Sequence, residues 1–499
     1  MNLGNIIDQS AHFFPEHPAI CIDDQTISYG KLKERTNRVA TALIASGISP
    51  GDRVALNVPN SLEWIAFYYG AIKCGAVAVT LPGLMTDAEL GYLINDAQPR
   101  CILTTDDKVS QLERLRGPGI LETLISPSGD MPFERLCENG QPEFNPIDRD
   151  RSDTAAILFT GGTTGIPKGV MLSHENIYTA INNVVFNERS SENDRALCFL
   201  PFNHVFGQIH IMNATLLSGG CIELIPGFDL EKVLTLTAAD RITKLYAVPT
   251  VYVRLLAIKD LRQRLGAVRY CFSAAASMAV ELVQKWKQQT GLNIHEAYGM
   301  TESASMVTYN HYYRHQVGSV GTPVGCTEVQ IRNAEGAPVD QGHEGEICIR
   351  GRNIMQGYLN RPEETQASFW GEWFRSGDVG FINDSGYLFI VDRIKDLIIT
   401  GGENVYPREI EEVLYTFPEI SECAVIGLPD KEWGERVTAM IVPAMGHTVD
   451  IDALKTVLKK QLSAYKIPKQ YNIVEELPKS PSGKILKRNI RKTVQEAEK

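Results

Sequence analysis

The chain has 499 residues, 43% of them hydrophobic and 22% charged, with a formal net charge of −11. That is the composition of a soluble globular protein of about two or three domains. The acidic balance argues against a general nucleic-acid binder, and the absence of any run of ~18 apolar residues argues against an integral membrane segment. The first residues, MNLGNIIDQSAHFFPEH, lack a basic start followed by an apolar stretch, so no secretory signal is expected and a cytoplasmic location is. Ten cysteines lie scattered without a CxxC pair, several in apolar runs such as AICI, ALCFL and ICIR. They read as small buried hydrophobes of a reducing compartment, not as a zinc site.

Along the chain, apolar runs of strand length alternate with helical patterns. RVALNVP is followed by SLEWIAFYYGAIKCG, then by AVAVTLP, then by TDAELGYLINDAQP. That alternation predicts parallel sheets covered by helices, an α/β architecture. Next comes LFTGGTTGIPKGV, Leu158 to Val170, with AAILFT before its glycines and GVMLS after them. Two strands joined by a glycine- and threonine-rich loop are expected. Glycine lets ligand oxygens approach backbone N–H groups, Thr160, Thr163 and Thr164 offer hydroxyls, and Lys168 offers a charge. Such a loop suits a polyphosphate, although an ordinary turn has the same composition. It is not a P-loop, because Lys168 follows Pro167 and precedes Gly169.

Further along, EAYGMTES (Glu296 to Ser303) places an aromatic, a hydroxyl and a carboxylate close together. Beside a phosphate loop, Tyr298 can cover a purine face, Thr301 can bond a phosphate oxygen, and Glu302 can hold a divalent cation. Magnesium on ATP commonly takes only one or two protein carboxylates. WFRSGDVGFINDSGYLFIVDRIKD supplies Asp378 for ribose hydroxyls and Arg393 for ribose or phosphate. Near residue 390 the pattern changes to strand, charged step, strand, glycine pair and helix, which predicts a small C-terminal α+β unit of about 100 residues. That unit is locally basic: from Asp450 to Lys499 there are twelve Lys or Arg against six Asp or Glu. Most of these form a solvated face. Lys484, in the loop of LPKSPSGKILKR, is either one more surface charge or a functional cation.

Five of these stretches, TGGTTGIPKGV, YGMTE, SGDVG, DRIKD and PKSPSGKILKR, occur in the order and spacing of the adenylate-forming superfamily. The chain resembles its acyl-CoA synthetases, aryl-CoA ligases, peptide-synthetase adenylation domains and luciferases over essentially its whole length. The resemblance implies an N-terminal adenylation domain over 1–392, a hinge at 393–395 around Lys395, and a C-terminal lid domain over 396–499 that rotates between two half-reactions. It implies ATP, Mg2+ and coenzyme A, with acyl-AMP as the intermediate. Thr160, Gly161, Gly162, Thr163, Thr164 and Lys168 would hold the β and γ phosphates, Thr301 the α-phosphate, and Glu302 the metal. Lys484 would bridge carboxylate and phosphate oxygens. Ala274, Ala275 and Ala276 would line the adenine, with Glu296 and Ala297 opposite. Two departures stand out: Gly161 replaces a hydroxyl residue, and FSAAASM carries Ala274 and Ser277 where the family has glycine and proline.

By the same resemblance, FNHVFGQIHIMNATLLSGG forms one wall of the acyl pocket. Phe202, His204 and Phe206 stand near the carboxyl group, Gln208, Ile209 and Met212 lie deeper, and Gly299 and Met300 complete it. His204 is either catalytic or simply packed. The wall has no aspartate for an amino-acid ammonium and no Arg or Lys for a second carboxylate, so an apolar monocarboxylic acid, aliphatic or aromatic, is expected. The uninterrupted run from Arg393 through ITGGENVYP favours CoA, with Gly401 and Gly402 lining a pantetheine tunnel. The alternative is an acyl-AMP ligase that loads a phosphopantetheinylated carrier protein.

Overall fold

The computed structural model describes residues 1–83, 85–160, 167–276, 278–480 and 483–497. The α/β expectation holds. One seven-stranded sheet runs in the order Ile294–Glu296, Tyr270–Ser273, Lys244–Ala247, Arg195–Cys198, Cys221–Leu224, Pro18–Ile22 and Gln25–Ser28. It is parallel except for its last pair. A second seven-stranded sheet runs Gly357–Tyr358, Lys168–Ser173, Thr154–Thr160, Val77–Thr80, Arg53–Asn57, Cys101–Thr104 and Thr123–Ile125. Val77–Thr80, Cys101–Thr104 and Tyr270–Ser273 are buried at every position and largely apolar, and Lys244–Ala247 is buried throughout although it begins with a lysine.

The helix Leu62–Lys73 is buried at every residue but Glu63. A helix apolar on all sides must lie inside a large core. Its one buried cation, Lys73, is held by Asp8 at 2.9 Å and by the Asn37 side-chain oxygen at 2.7 Å. The helix Asp87–Ala97 begins where the sequence places it, with a reciprocal Thr86–Glu89 capping box.

A third, antiparallel sheet is built on Trp373–Ile382, with Gly345–Arg350 on one side and Leu388–Arg393 on the other. After Arg393 comes a 3-10 turn, Ile394–Asp396, and then a separate five-stranded sheet made of Ile398–Thr400, Glu403–Val405, Ile420–Asp430, Gly434–Pro443 and Gln470–Ile473. This small α+β unit has its own apolar core, which includes Ile398, Val405, Ile410, Leu414, Val425, Val437 and Leu458. A large N-terminal and a small C-terminal domain therefore follow each other along the chain. Nine of the ten cysteines are buried; Cys326 is exposed.

Candidate active site

Strands Thr154–Thr160 and Lys168–Ser173 pair antiparallel, with Thr160 opposite Lys168. Thr160 and Lys168, on either side of the residues left undescribed, therefore face each other on one ladder. Gly161, Gly162, Thr163 and Thr164, expected at the phosphates, lie outside the described residues. Lys168 pairs with Glu364, and its Nζ lies 5.0 Å from the centre of the Tyr358 ring. The Tyr358 hydroxyl in turn donates to Glu302 Oε1 at 2.9 Å. One contact chain thus joins Lys168 to the carboxylate of YGMTE.

Thr301 and Glu302 sit in a 3-10 turn, Thr301–Ser303, closing the hairpin in which Gly299 and Met300 face Met306 and Ser305. A Cβ at Gly299 would fall 1.6 Å from the Ser305 carbonyl oxygen, so only glycine fits there. Ala304 and Ser305 both have positive φ, +53° and +117°, which turns the chain sharply after Glu302.

Asp378 and Arg393 are register partners on adjacent strands, with Arg393 Nε 3.0 Å from Asp378 Oδ1. The other Asp378 oxygen accepts from the Tyr298 hydroxyl at 2.7 Å. The small domain brings its own residues here. Arg408, on the helix Pro407–Leu414, donates from its backbone N–H to Asp392 Oδ2 at 2.9 Å and from Nη1 to the Ile390 carbonyl at 2.6 Å. A Cβ at Gly483 would lie 2.9 Å from Val248 Cγ2, so the Lys484 loop packs on the large domain. The loop is closed by Ser480 N–H donating to the Lys484 carbonyl and by Lys484 N–H donating to Ser480 Oγ.

Lys484 is half-buried. Burial first, then the Arg393 charge, pushes its pKa down to about 7, with Asp378 opposing the shift. Burial, and then the charge of Lys484, pushes His204 down to about 4, leaving a neutral imidazole at pH 7. The Phe206 backbone N–H donates to His204 Nδ1 at 3.2 Å, so the ring proton is on Nε2. His204 is therefore a neutral donor beside a tunable cation, a pair suited to an anionic carboxylate and phosphate.

At the C-terminal ends of the parallel strands, Ser273 and Glu296 are register partners. Ser273 Oγ and Glu296 Oε2 are both buried without a hydrogen-bond partner. Burial pushes the Glu296 carboxyl up to about 8, against the pull of Arg408. Two orphaned polar atoms at strand ends call for a polar ligand. Ala274, Ala275 and Ala276 follow Ser273 directly, and Ala297 follows Glu296. The left-handed residue of this turn is Ala275, φ +71°, and not Ala274, where the family's glycine stands. The Ala274 departure therefore costs no backbone strain.

Of the expected acyl wall, Phe202, Phe206, Gln208, Ile209 and Met212 are buried, and His204 is half-buried. Residues Phe206–Asn213 wind as a π-helix, a rare form that recurs at functional sites and that no periodicity in the sequence announced. It aims Phe206 and His210 at strands Lys244–Ala247 and Tyr270–Ser273: the His210 ring lies 4.3 Å from that of Phe272 and 5.7 Å from that of Tyr246. The lack of Arg or Lys in the wall's own sequence does not extend to its surroundings. Lys244 lies behind it, paired with Glu188 at 3.2 Å and Asp194 at 3.5 Å. His210, Glu188, Lys244 and Ser305 were missed in the sequence. Only His210, embedded in an apolar run, carried any signal.

Gly401 and Gly402 form the tight turn between Ile398–Thr400 and Glu403–Val405, with φ of +59° and +84°. These are type I′ hairpin angles. A Cβ at Gly402 would meet nothing within 4 Å, so leucine there would strain the turn without filling any space in this arrangement. Lys395 is exposed in the 3-10 turn that links the two domains.

Among the described residues, no helix is long and apolar enough to cross a membrane. Residues 7–359 match the family described as AMP-binding enzyme, and residues 409–484 match the AMP-binding enzyme C-terminal domain. The chain is 34% identical over 493 residues to a feruloyl-CoA synthase of Amycolatopsis, covering 98% of each protein. It is 33% identical to a long-chain-fatty-acid–CoA ligase of Bacillus subtilis, covering 98% of this chain and 94% of that one. The ATP-bound crystal structure of MatB from Rhodopseudomonas palustris, 34% identical, superposes over 100% of both chains with a TM-score of 0.94; the apo structure of the same protein gives 0.82. On these matches, spanning both domains, the chain belongs to the AMP-binding enzyme family.

Proposed function

We propose that this protein is an AMP-forming acid:CoA ligase. In the first step a carboxylate attacks the α-phosphate of ATP and expels pyrophosphate, giving acyl-AMP. In the second, the thiol of coenzyme A displaces AMP and leaves acyl-CoA. Both kinds of relative, the feruloyl-CoA synthase and the fatty-acid ligase, are named for CoA thioesters, and the chain's domain arrangement follows an ATP-bound structure more closely than the apo one. The observation that carries the reading is convergence. Lys484 of the small domain lies within charge range of Asp378 and Arg393, and its own charge acts on His204.

The residue roles follow from chemistry. A carboxylate is a poor electrophile until its oxygen is made a leaving group, and phosphoryl transfer needs positioning and cations more than a protein base. Lys484 holds the two reacting anions together. The His204 Nε2–H orients the acid's carboxylate. Asp378 takes the ribose hydroxyls with Arg393 beside it, while Ser273 and Glu296 find their missing partners at the adenine edge. Thr301 contacts the α-phosphate, and Lys168 exchanges Glu364 for the outer phosphates together with Thr160 and the loop of Gly161 to Thr164. Glu302 suits magnesium: a single carboxylate, with ATP oxygens and water completing the shell, is the donor set that ion takes on nucleotides. Magnesium there would neutralise charge on the departing pyrophosphate.

For the second step we place a hinge at 393–395, centred on Lys395, between an adenylation domain over 1–392 and a lid over 396–499. Rotation about it withdraws Lys484 and brings the Gly401–Gly402 turn toward the acceptor. The acid is a monocarboxylic one with a largely apolar body, matching Phe206, Ile209 and Met212. The test is acid-dependent pyrophosphate release across a panel of acids, with CoA or a phosphopantetheinylated carrier protein as acceptor. Thioester formation on CoA is expected. Transfer only to the carrier protein would replace CoA as the acceptor, and no release with any acid would overturn the reading.

A further inference from the structure

From Tyr358 to Thr365 the chain reads YLNRPEET, in which Pro362 opens the short helix Pro362–Ala367 and sets Glu363 and Glu364 in its first turn. Glu364 is shared by two cations. Its Oε2 pairs with Lys168 Nζ, and its Oε1 lies 3.7 Å from Arg361 Nε. Arg361 is tied down on its far side, with Nη1 3.6 Å from Asp96 Oδ1 and Nη2 donating to the Tyr92 hydroxyl. One carboxylate thus stands between an anchored cation and Lys168, the cation proposed for the outer phosphates.

The frame around this pair is well fixed. Tyr358 pairs with Val170 across the ladder, and the Leu359 N–H donates to the Gly169 carbonyl at 2.7 Å, so the strands carrying Lys168 and Tyr358 are joined. The Tyr358 N–H donates to Thr365 Oγ1 at 2.9 Å, and that hydroxyl donates to the Arg361 carbonyl at 2.8 Å, which seats the helix. A Cβ at Gly357 would fall 2.7 Å from Thr365 Cγ2, so strand and helix are in close contact. The side-chain ends are what can move. The Glu364 side chain is 42% exposed and that of Lys168 18%, so a solute can reach the pair.

A carboxylate and a phosphate oxygen make the same demand on an ammonium group, since both are anionic acceptors for its N–H donors. Glu364 therefore occupies Lys168 in the way an outer phosphate would. A polyphosphate that reaches Lys168 meets the negative charge of Glu364 beside it, whether the lysine leaves the carboxylate or holds both anions. Arg361 already faces the other Glu364 oxygen, so an exchange leaves no carboxylate without a partner.

We infer that Glu364 is an internal competitor for the polyphosphate: it holds Lys168 before nucleotide binds, passes to Arg361 when the outer phosphates of ATP arrive, and returns to Lys168 as pyrophosphate leaves. This deepens the ligase reading and rests on its assignment of Lys168 to the outer phosphates. The consequence is a polyphosphate site that binds less tightly than its cations allow, which favours release of pyrophosphate and leaves the adenine and ribose contacts as they are. Glu364 acts through Lys168 and is a positioning residue.

Glu364→Gln keeps the shape of the side chain and removes its charge. Dissociation constants for ATP, inorganic tripolyphosphate and AMP are measured by titration calorimetry on the full chain at one magnesium concentration, without acid or CoA. Partly exposed ion pairs are weak, so ATP and tripolyphosphate are expected to bind about two- to fivefold more tightly in the variant, with AMP unchanged. Pyrophosphate should inhibit adenylation by the variant at a concentration lower by a similar factor. Arg361→Gln removes the second partner and should weaken tripolyphosphate binding in the parent chain but not in Glu364→Gln; equal weakening in both would overturn the handover. Should Arg361→Gln fail to fold, Glu364→Gln carries the test alone. An unchanged or weaker affinity for tripolyphosphate in Glu364→Gln, or an equal gain for AMP, would overturn this inference and leave the ligase reading intact, since that reading stands on acid-dependent pyrophosphate release. Absence of that release with every acid would overturn both.

Discussion

Arg393 Nε lies 3.0 Å from Asp378 Oδ1, so the last residue of the strand Leu388–Arg393 is locked to the carboxylate proposed for ribose. The Tyr298 hydroxyl holds the other oxygen of the same carboxylate. In the proposed arrangement the ribose contact and the entry to the hinge would share one group, and the charge of Asp378 also favours the charged form of Lys484. Replacing Asp378 by Asn keeps the shape and removes the charge. We expect KM for ATP to rise about tenfold or more, since hydrogen bonds to a charged group are roughly twice as strong as neutral ones. The pH limit of adenylation should move to lower pH in the same variant. Steady-state pyrophosphate release across ATP concentrations measures the first effect, and a variant with wild-type KM would remove Asp378 from the nucleotide site.

The lowered pKa of Lys484 has a definite sign. Its docked value of about 7 lies below that of a free lysine, about 10.4, so docking of the loop in the substrate-free protein releases a proton between those values and is favoured as pH rises. The neutral amine cannot bridge two anions. Adenylation kcat/KM should thus be level below pH ~7 and fall as pH rises through it. His204, pushed down to about 4, adds no limb above pH ~5. In Lys484→Arg the alkaline fall should vanish, because guanidinium does not deprotonate. A wild-type profile level from pH 6 to 9, or the same fall in the arginine variant, would assign the limb elsewhere.

Met212 is fully buried in the π-helix. Truncation to alanine should open the wall and favour acids longer by one or two carbons. The shift should be about tenfold or more in relative kcat/KM, as a pocket discriminates by ~1–3 kcal/mol per methylene. The cavity should also cost ~2–5 kcal/mol of stability, visible as a lower melting temperature. An equal loss for all acids would place Met212 in the general core.

Much of this was legible in the sequence for physical reasons. Val77–Thr80 and Cys101–Thr104 are buried on both faces and so are apolar throughout, and the turn chemistry of Thr86 marks a helix start. The strand–loop–strand around Lys168 follows from glycines between two short apolar runs. The coincidence of Asp378 with Arg393 could not be read, because it is set by the register of two antiparallel strands and not by spacing along the chain. The π-helix was also hidden, since an apolar run has no phase from which to tell 3.6 residues per turn from a wider winding. Nothing in FNERSSEND sets Glu188 apart from the acids beside it; only the fold shows that it is buried against Lys244 and His210.

The central claim is that Lys484 serves adenylation and leaves the site before thioester formation. Lys484→Ala should be measured in single turnovers of each half-reaction: pyrophosphate release from ATP and acid, and CoA thioester from a supplied acyl-adenylate. Loss of a preorganised cation is expected to cost on the order of 3 kcal/mol or more, so the first rate should fall by about two orders of magnitude or more. The second should stay close to that of the parent protein. An equal fall in both half-reactions would contradict the rotating lid, and unchanged pyrophosphate release would return Lys484 to the ordinary surface charge that its basic neighbours are.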